Sequence, residues 1–244
     1  MGQKESSEAF RPLTLGDKFP DFTAKCTKTI STPGRRISWH PYIDGHWAIL
    51  FSHPAAYTPI CTMELGTIAK MMDDFTFRGV KVCGLSCDSI KKMEGGWIED
   101  IEHLSGTRIS FPIIDDSDRV IAVKLGMLDK STKDELELPL PVRAVYIIGP
   151  DKRLKLCMLY PAHTGRNFTE ILRVIDSLQL EAAKDISTPP NWCPGEDVYV
   201  YDQNISDSNF PKGVTVVDVP SGKKYIRRTP YSPLSDCKTC RGVM

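Results

Sequence analysis

Five short apolar runs constrain this chain more than any other feature. "HWAILFSH", "VKVCGLSC", "ISFPII", "VRAVYIIG" and "RLKLCMLY" are rich in Val, Ile, Leu and aromatic residues. Each has the length of a strand and is too short to cross a bilayer. Between and after them lie segments with helical spacing, at 59–77, 89–104, 117–126 and 166–184. Asp88 or Ser89 suits the start of the second, and Asp116 or Ser117 the start of the third. Strands alternating with helices predict an α/β domain built on a central sheet. After residue 184 the texture changes. "DISTPPNWCPGEDVYVYDQNISDSNFPKGV" is rich in Pro, Asp, Asn and Ser, which reads as a linker and then a small unit, mostly β or irregular. The boundary is expected near 187–190. Residues 1–11 read as a flexible start, 12–186 as the main domain, 187–230 as the second unit and 231–244 as a mobile tail.

Charge narrows the partners. Lys+Arg and Asp+Glu both number 31, so no bulk attraction to nucleic acid or to an anionic membrane is expected. Eight cysteines in 244 residues fall short of a disulfide scaffold. "MGQKESSEAF" lacks the apolar core of a secretory leader. These features predict free thiols in a reducing, cytoplasmic setting. "MGQKES" fits the myristoylation pattern M-G-x-x-x-[ST] at Gly2, although a chance match is the favoured reading. Membrane contact is expected only if Gly2 is acylated, and one chain binds weakly.

One cysteine stands where chemistry is expected. In "FSHPAAYTPICTMEL", Thr58 suits the N-cap of a helix and Pro59 its first position. Cys61 then falls third, the position where a capping box places Glu or Gln. Backbone N–H groups and the positive end of the helix dipole would stabilise a thiolate there, and the Thr58 hydroxyl is one turn away. Cys61, Leu65, Ile68, Met72 and Phe75 are spaced 4, 3, 4 and 3 apart, one stripe facing the core. An arbitrary free cysteine usually only packs. The cap, the dipole and the stripe together favour a reactive Cys61. Thioredoxin-type exchange needs C-x-x-C, and position 64 is Glu.

"PAAYTPIC" is P-x-x-x-T-x-x-C, and it resembles the active-site motif of the peroxiredoxins. "WAILFSHPAAYTPICTMELG", "GLSCDS", "WIEDI", "LPLPVRAVYIIGPDKRLKL", "LYPAHTGRNFTEILRVIDSLQL" and "PSGKKYIRRTP" resemble the 1-Cys branch, the peroxiredoxin-6 type of the AhpC/TSA peroxiredoxins. The resemblance runs collinearly over about residues 12–230. It implies a thioredoxin-like fold with a central mixed sheet and a small C-terminal dimerisation domain. It implies a thiol peroxidase for hydrogen peroxide and organic hydroperoxides, a homodimer with no metal or bound organic cofactor. An external thiol, such as glutathione or thioredoxin, would regenerate it. Cys61 matches the peroxidatic cysteine, Thr58 the threonine contacting thiolate and peroxide, and Pro54 the proline shielding the sulfenic acid. Arg143 matches the motif arginine, Glu64 the glutamate holding it and Arg166 a second supporting arginine. His53 matches a histidine beside the pocket.

The chain departs from that pattern in places. Relatives with a phospholipase activity use a serine where this chain has His46, although His40 and Asp151 match the other two positions. Histidine supplies no alkoxide nucleophile, so no serine-type lipase is expected. Cys193, in "NWCPGED", stands a few residues after the resolving site of two-cysteine relatives, and Trp192 aligns with the tryptophan there. Cys237 and Cys240 form a tail C-x-x-C, read as an incidental exposed pair. The alternatives are a two-cysteine peroxidase resolved by Cys193 or by that tail, a disulfide oxidoreductase built on Cys237 and Cys240, and a non-catalytic chaperone or redox-signalling protein. Four residues of strand span about 13 Å, too far for Cys83 and Cys87 to pair. These two and Cys157 are expected to fill the core, and Cys26 is ambiguous.

Overall fold

The computed structural model describes residues 12–230. The chain opens with β1 (Thr23–Cys26), β2 (Arg36–Ser38), a single turn α1 (Trp39–Tyr42) and β3 (Trp47–Ser52). Helices α2 (Pro59–Lys70) and α3 (Met72–Phe77) lead to β4 (Val80–Ser86). Helices α4 (Ile90–Lys92) and α5 (Ile98–Ser105), joined through Met93–Trp97, lead to β5 (Ile113–Asp115). Helix α6 (Val120–Lys124) and an antiparallel pair, β6 (Leu128–Lys133) and β7 (Pro139–Pro141), precede β8 (Arg143–Ile148) and β9 (Leu154–Tyr160).

Seven strands form one sheet in the order β2-β1-β5-β4-β3-β8-β9. The β3/β4 and β4/β5 pairs are parallel and the others antiparallel, so the sheet is mixed. Strand β3 lies inside it, which explains why its sequence is a continuous apolar run rather than an alternating one. Ala48 and Leu50 point into a core with Trp39, Cys83, Ile114 and Tyr146. Phe51 points to the opposite face, edge-on to Phe111 at 5.6 Å. Antiparallel pairing of Phe51 with Val145 brings the start of β8 beside the end of β3.

Several expected elements are shorter or broken. The helix expected at 59–77 ends at Met71, whose φ of −95° and ψ of 6° leave the helical path before α3 begins. Cys61, Leu65, Ile68 and Phe75 are buried, whereas Met72, just past that break, is only half-buried. The segment 89–104 is interrupted at Gly95 and Gly96, which have non-helical dihedrals. Ser89 caps its start and accepts from the Lys92 amide. Only Val120–Lys124 of 117–126 is α-helix. There Asp116 accepts from the Ile121 and Ala122 amides, at 2.9 and 2.7 Å. Of "ISFPII", only the last two residues join β5, because Pro112 has no N–H for the ladder. Cys26, Cys83 and Cys87 are buried, but Cys157 is exposed and does not fill the core. It lies on β9, the edge of the sheet.

A second unit begins after Arg166. It starts with α7 (Phe168–Ala183), whose N-cap Asn167 accepts from the Glu170 amide. Next come β10 (Ile186–Ser187), β11 (Val198–Val200), β12 (Thr215–Val216) and β13 (Arg227–Thr229), in the antiparallel order β10-β11-β13-β12. This compact unit thus includes α7 as well as the residues after 187–190: Leu180 of the helix shares a core with Ile186, Trp192 and Val198. The Pro-rich stretch is a turn inside this unit, where the Pro189 carbonyl accepts from the Trp192 amide. Gly2, Cys237 and Cys240 lie outside the described residues.

Candidate active site

The site is built where β3 ends and α2 begins. Thr58, extended at φ −112° and ψ 143°, is the N-cap of α2, and Pro59 opens the helix. Cys61 is its third residue and is fully buried. The Thr58 hydroxyl donates to the Ala55 carbonyl at 2.9 Å, rather than to the sulfur or the helix end. Pro54 is buried in the same loop. Tyr57 holds a left-handed φ of 59°, a conformation costing an aromatic residue of order 1–3 kcal/mol.

Tertiary structure adds what the loop lacks. Arg143, the first residue of β8, directs Nη1 to Cys61 Sγ at 3.4 Å and to Glu64 Oε2 at 2.8 Å. Its Nε and Nη2 both donate to the Ala162 carbonyl, at 2.8 and 2.6 Å, so the guanidinium cannot swing away freely. Glu64 lies one turn after Cys61 on α2. Its other donor is Arg166, through the backbone N and Nε to Oε1 at 2.8 and 3.1 Å and Nη2 to Oε2 at 2.8 Å. Arg166 Nη1 donates to the carbonyls of Ser52 and Ala144, at 2.9 and 2.8 Å, bridging β3 and β8. The Arg166 guanidinium sits 5.3 Å from the Phe51 ring centre. Two buried guanidinium groups thus share the Glu64 carboxylate beside the sulfur.

Burial alone would push the Glu64 carboxyl up. The Arg166 hydrogen bonds and the charges of Arg166 and Arg143 outweigh it and hold Glu64 below its ordinary 4.5. At two other buried side chains no such compensation offsets burial. Burial, assisted by the Asp116 charge, pushes Cys87 up to about 12, and burial raises Cys83 well above the ordinary thiol range. Both side chains belong to the core packed around Trp39 and Tyr146.

His53 is fully buried with neither ring nitrogen hydrogen-bonded, and its ring lies 5.3 Å from that of Trp97. Burial, with the nearby Arg166 charge, pushes it down to about 3, against the opposing pull of Glu64. It therefore stays neutral at any working pH. The expected result is that its ring proton shifts in NMR do not move between about pH 5 and 8, the range where an ordinary histidine titrates. A titration midpoint in that window would contradict this.

Cys61, Glu64, Arg143 and Arg166 are thus directly joined, while Thr58, Pro54 and His53 flank them. The residues that sequence reasoning did not single out are Ser52, Ala144 and Ala162, which act through backbone carbonyls and so leave no side-chain signature. His40, His46 and Asp151 make their bonds elsewhere. His40 Nε2 contacts the Phe19 carbonyl at 2.7 Å, His46 Nδ1 the Asp44 carbonyl at 2.7 Å, and Asp151 pairs with Lys155 at 2.7 Å. Cys193 is half-buried, with Sγ 3.9 Å from the Asn191 carbonyl.

Comparison with known proteins gives this geometry a family. Residues 15–156 match the AhpC/TSA family. Rat peroxiredoxin-6 is 48% identical over 225 residues, covering 89% of this chain and 97% of that one. The chain belongs to the 1-Cys peroxiredoxins of the AhpC/TSA family. A cysteine-to-serine mutant of the peroxiredoxin 6 of Arenicola marina superposes with a TM-score of 0.83 at 46% identity, covering 89% of this chain and 98% of that one. A yeast mitochondrial 1-Cys peroxiredoxin superposes at 0.78 with 34% identity, covering 90% of this chain and all of that one. The mixed sheet is accordingly that of a thioredoxin-like peroxiredoxin fold. This peroxiredoxin is a thiol-dependent peroxidase regenerated by an external thiol. Among the described residues, no helix is long and apolar enough to cross a membrane.

Proposed function

We propose that Cys61 is the peroxidatic cysteine of this peroxidase. The observation that carries the reading is the Arg143 guanidinium at 3.4 Å from its sulfur, held there by Glu64 and by the Ala162 carbonyl. The guanidinium beside the sulfur favours the thiolate. The thiolate attacks the terminal oxygen of the hydroperoxide, a sulfur–oxygen bond forms and the O–O bond breaks. The terminal OH passes to sulfur as a sulfenic acid, and the leaving oxygen takes a proton to become water or an alcohol. Arg143 orients the peroxide and stabilises charge on both oxygens. Glu64 and Arg166 hold Arg143. Thr58 contacts the peroxide, Pro54 limits access of water, and His53 supplies a neutral wall.

The external thiol condenses with the sulfenic acid, releasing water, and a second thiol frees Cys61 from the mixed disulfide. Glutathione and thioredoxin are the proposed classes of reductant, since the yeast mitochondrial relative is described as resolved via glutathione/thioredoxin systems. The protein is proposed to work as a cytoplasmic homodimer. One equivalent of hydrogen peroxide, followed by mass spectrometry of every cysteine, tests the assignment. The expected product is sulfenic acid on Cys61 alone, with none formed and no peroxide consumed by Cys61→Ser. A disulfide from Cys61 to Cys193 or Cys240 would replace the 1-Cys cycle with a two-cysteine one. Peroxidase activity surviving in Cys61→Ser would remove the assignment.

A further inference from the structure

The segment ahead of Cys61 is strained, and something outside it must hold it. Tyr57 is a bulky residue in the left-handed region, at φ 59°. Its neighbour Ala56, its own side chain and Thr62 of α2 all meet the stretch that follows β4. The Ala56 amide donates to Asp88 Oδ2 at 2.6 Å, and Lys92 Nζ holds the other oxygen of that carboxylate at 2.6 Å. The Tyr57 hydroxyl donates to the Gly95 carbonyl at 2.8 Å. Trp97 Nε1 donates to Thr62 Oγ1 at 2.9 Å, in the first turns of α2.

The acceptor for Tyr57 exists because a helix is broken. Met93–Trp97 is a wide turn with Gly95 at φ −80°, ψ 31° and Gly96 at φ 115°. In an unbroken α-helix the carbonyl of Gly95 would point along the axis into the next turn. At the break it meets a side chain from another element instead. A Cβ at Gly96 would lie 3.5 Å from the Tyr57 hydroxyl, on a backbone angle that residues with side chains rarely adopt. The glycine pair and the tyrosine hydroxyl thus form one device. The ring itself needs no such partner, being half exposed and 6.3 Å from the Trp97 ring.

We propose that Tyr57 is a positioning residue, whose hydroxyl, seated on the Gly95 carbonyl, holds residues 55–58 in the form that presents Thr58 and Cys61 to the peroxide. This rests on Cys61 as the peroxidatic cysteine. Tyr57→Phe keeps the ring and removes only the hydroxyl. Hydrogen exchange of the Ala56, Tyr57 and Thr58 amides is expected to quicken about threefold to tenfold, the worth of one hydrogen bond. The second-order rate with hydrogen peroxide falls by a similar factor while the Tm of the whole protein holds. Gly96→Ala displaces the acceptor and gives the same changes. The Tyr57→Phe/Gly96→Ala double variant is no worse than the more affected single, because both remove one contact.

Unchanged exchange in Tyr57→Phe overturns the proposal. So does faster exchange with an unaltered peroxide rate, or full additivity in the double variant. The exchange measurements are repeated in a Cys61→Ser background without peroxide. A mistaken assignment of Cys61 would show as peroxidase activity surviving in that background, independently of the exchange result.

Discussion

Replacing Arg143 by methionine is expected to lower the second-order rate with hydrogen peroxide by about 10²–10³-fold, the usual cost of losing one prepared donor to developing charge. Three features make the loss large. The Nη1 donor stands 3.4 Å from Cys61 Sγ and is fixed in advance by Ala162 and Glu64, so no reorganisation is needed when charge develops. Its removal leaves Glu64 paired with Arg166 and takes a positive charge away from the sulfur. Methionine fills much of the same volume, so the effect is electrical rather than a cavity. Arg143→Lys separates charge from geometry. A lysine keeps the charge but cannot hold Ala162 with two donors and also reach the sulfur and Glu64, so an intermediate rate is expected. Stopped-flow peroxide kinetics with thermal melting of each variant checks this. A wild-type rate in a folded Arg143→Met protein would show that this arginine does not activate the site.

Glu64→Gln is expected to cost stability before it costs anything else. The carboxylate is the shared partner of two buried guanidinium groups, and removing one member of a buried ionic cluster typically costs about 3–5 kcal/mol. For a chain of this size that is a fall in Tm of roughly 10 °C. The shape of the side chain is kept, so the loss measures uncompensated charge. The same interaction predicts a pH dependence in the wild type. Glu64 titrates lower in the folded protein than its ordinary 4.5, so its contribution is fully present above 4.5 and is lost as the pH falls through that value towards the folded one. Glu64→Gln lacks this component. Denaturant melts of both proteins at several pH values should therefore converge in acid. Parallel curves at all pH values would place the source of acid sensitivity elsewhere.

Much of the frame was legible because it rests on short-range physics. The run "HWAILFSH" reads as a strand from its apolar, β-rich content, and β3 forms there. Thr58 and Pro59 mark a helix start through capping preference, and α2 begins there. Features set by competition between near-equal local options were not legible. Met71 breaks a periodic stripe, and the Thr58 hydroxyl chooses the Ala55 carbonyl. Cys157 looks like a core residue in "KLCMLY" and is exposed, because burial on an edge strand depends on what covers it. The neutrality of His53 is likewise a property of its surroundings, not of its neighbours in sequence.

By itself, then, the sequence determined that a cysteine stands third in a helix whose start favours an anion, on the stripe facing inward. Capping and periodicity act over one or two turns, and those residues are adjacent in the chain. Only the tertiary structure decided what charge meets that cysteine. Arg143 is 82 positions away and reaches the sulfur because β8 runs antiparallel beside β3, bringing its first residue to the end of that strand. Electrostatic influence depends on distance through space and on the exclusion of water, and chain packing sets both.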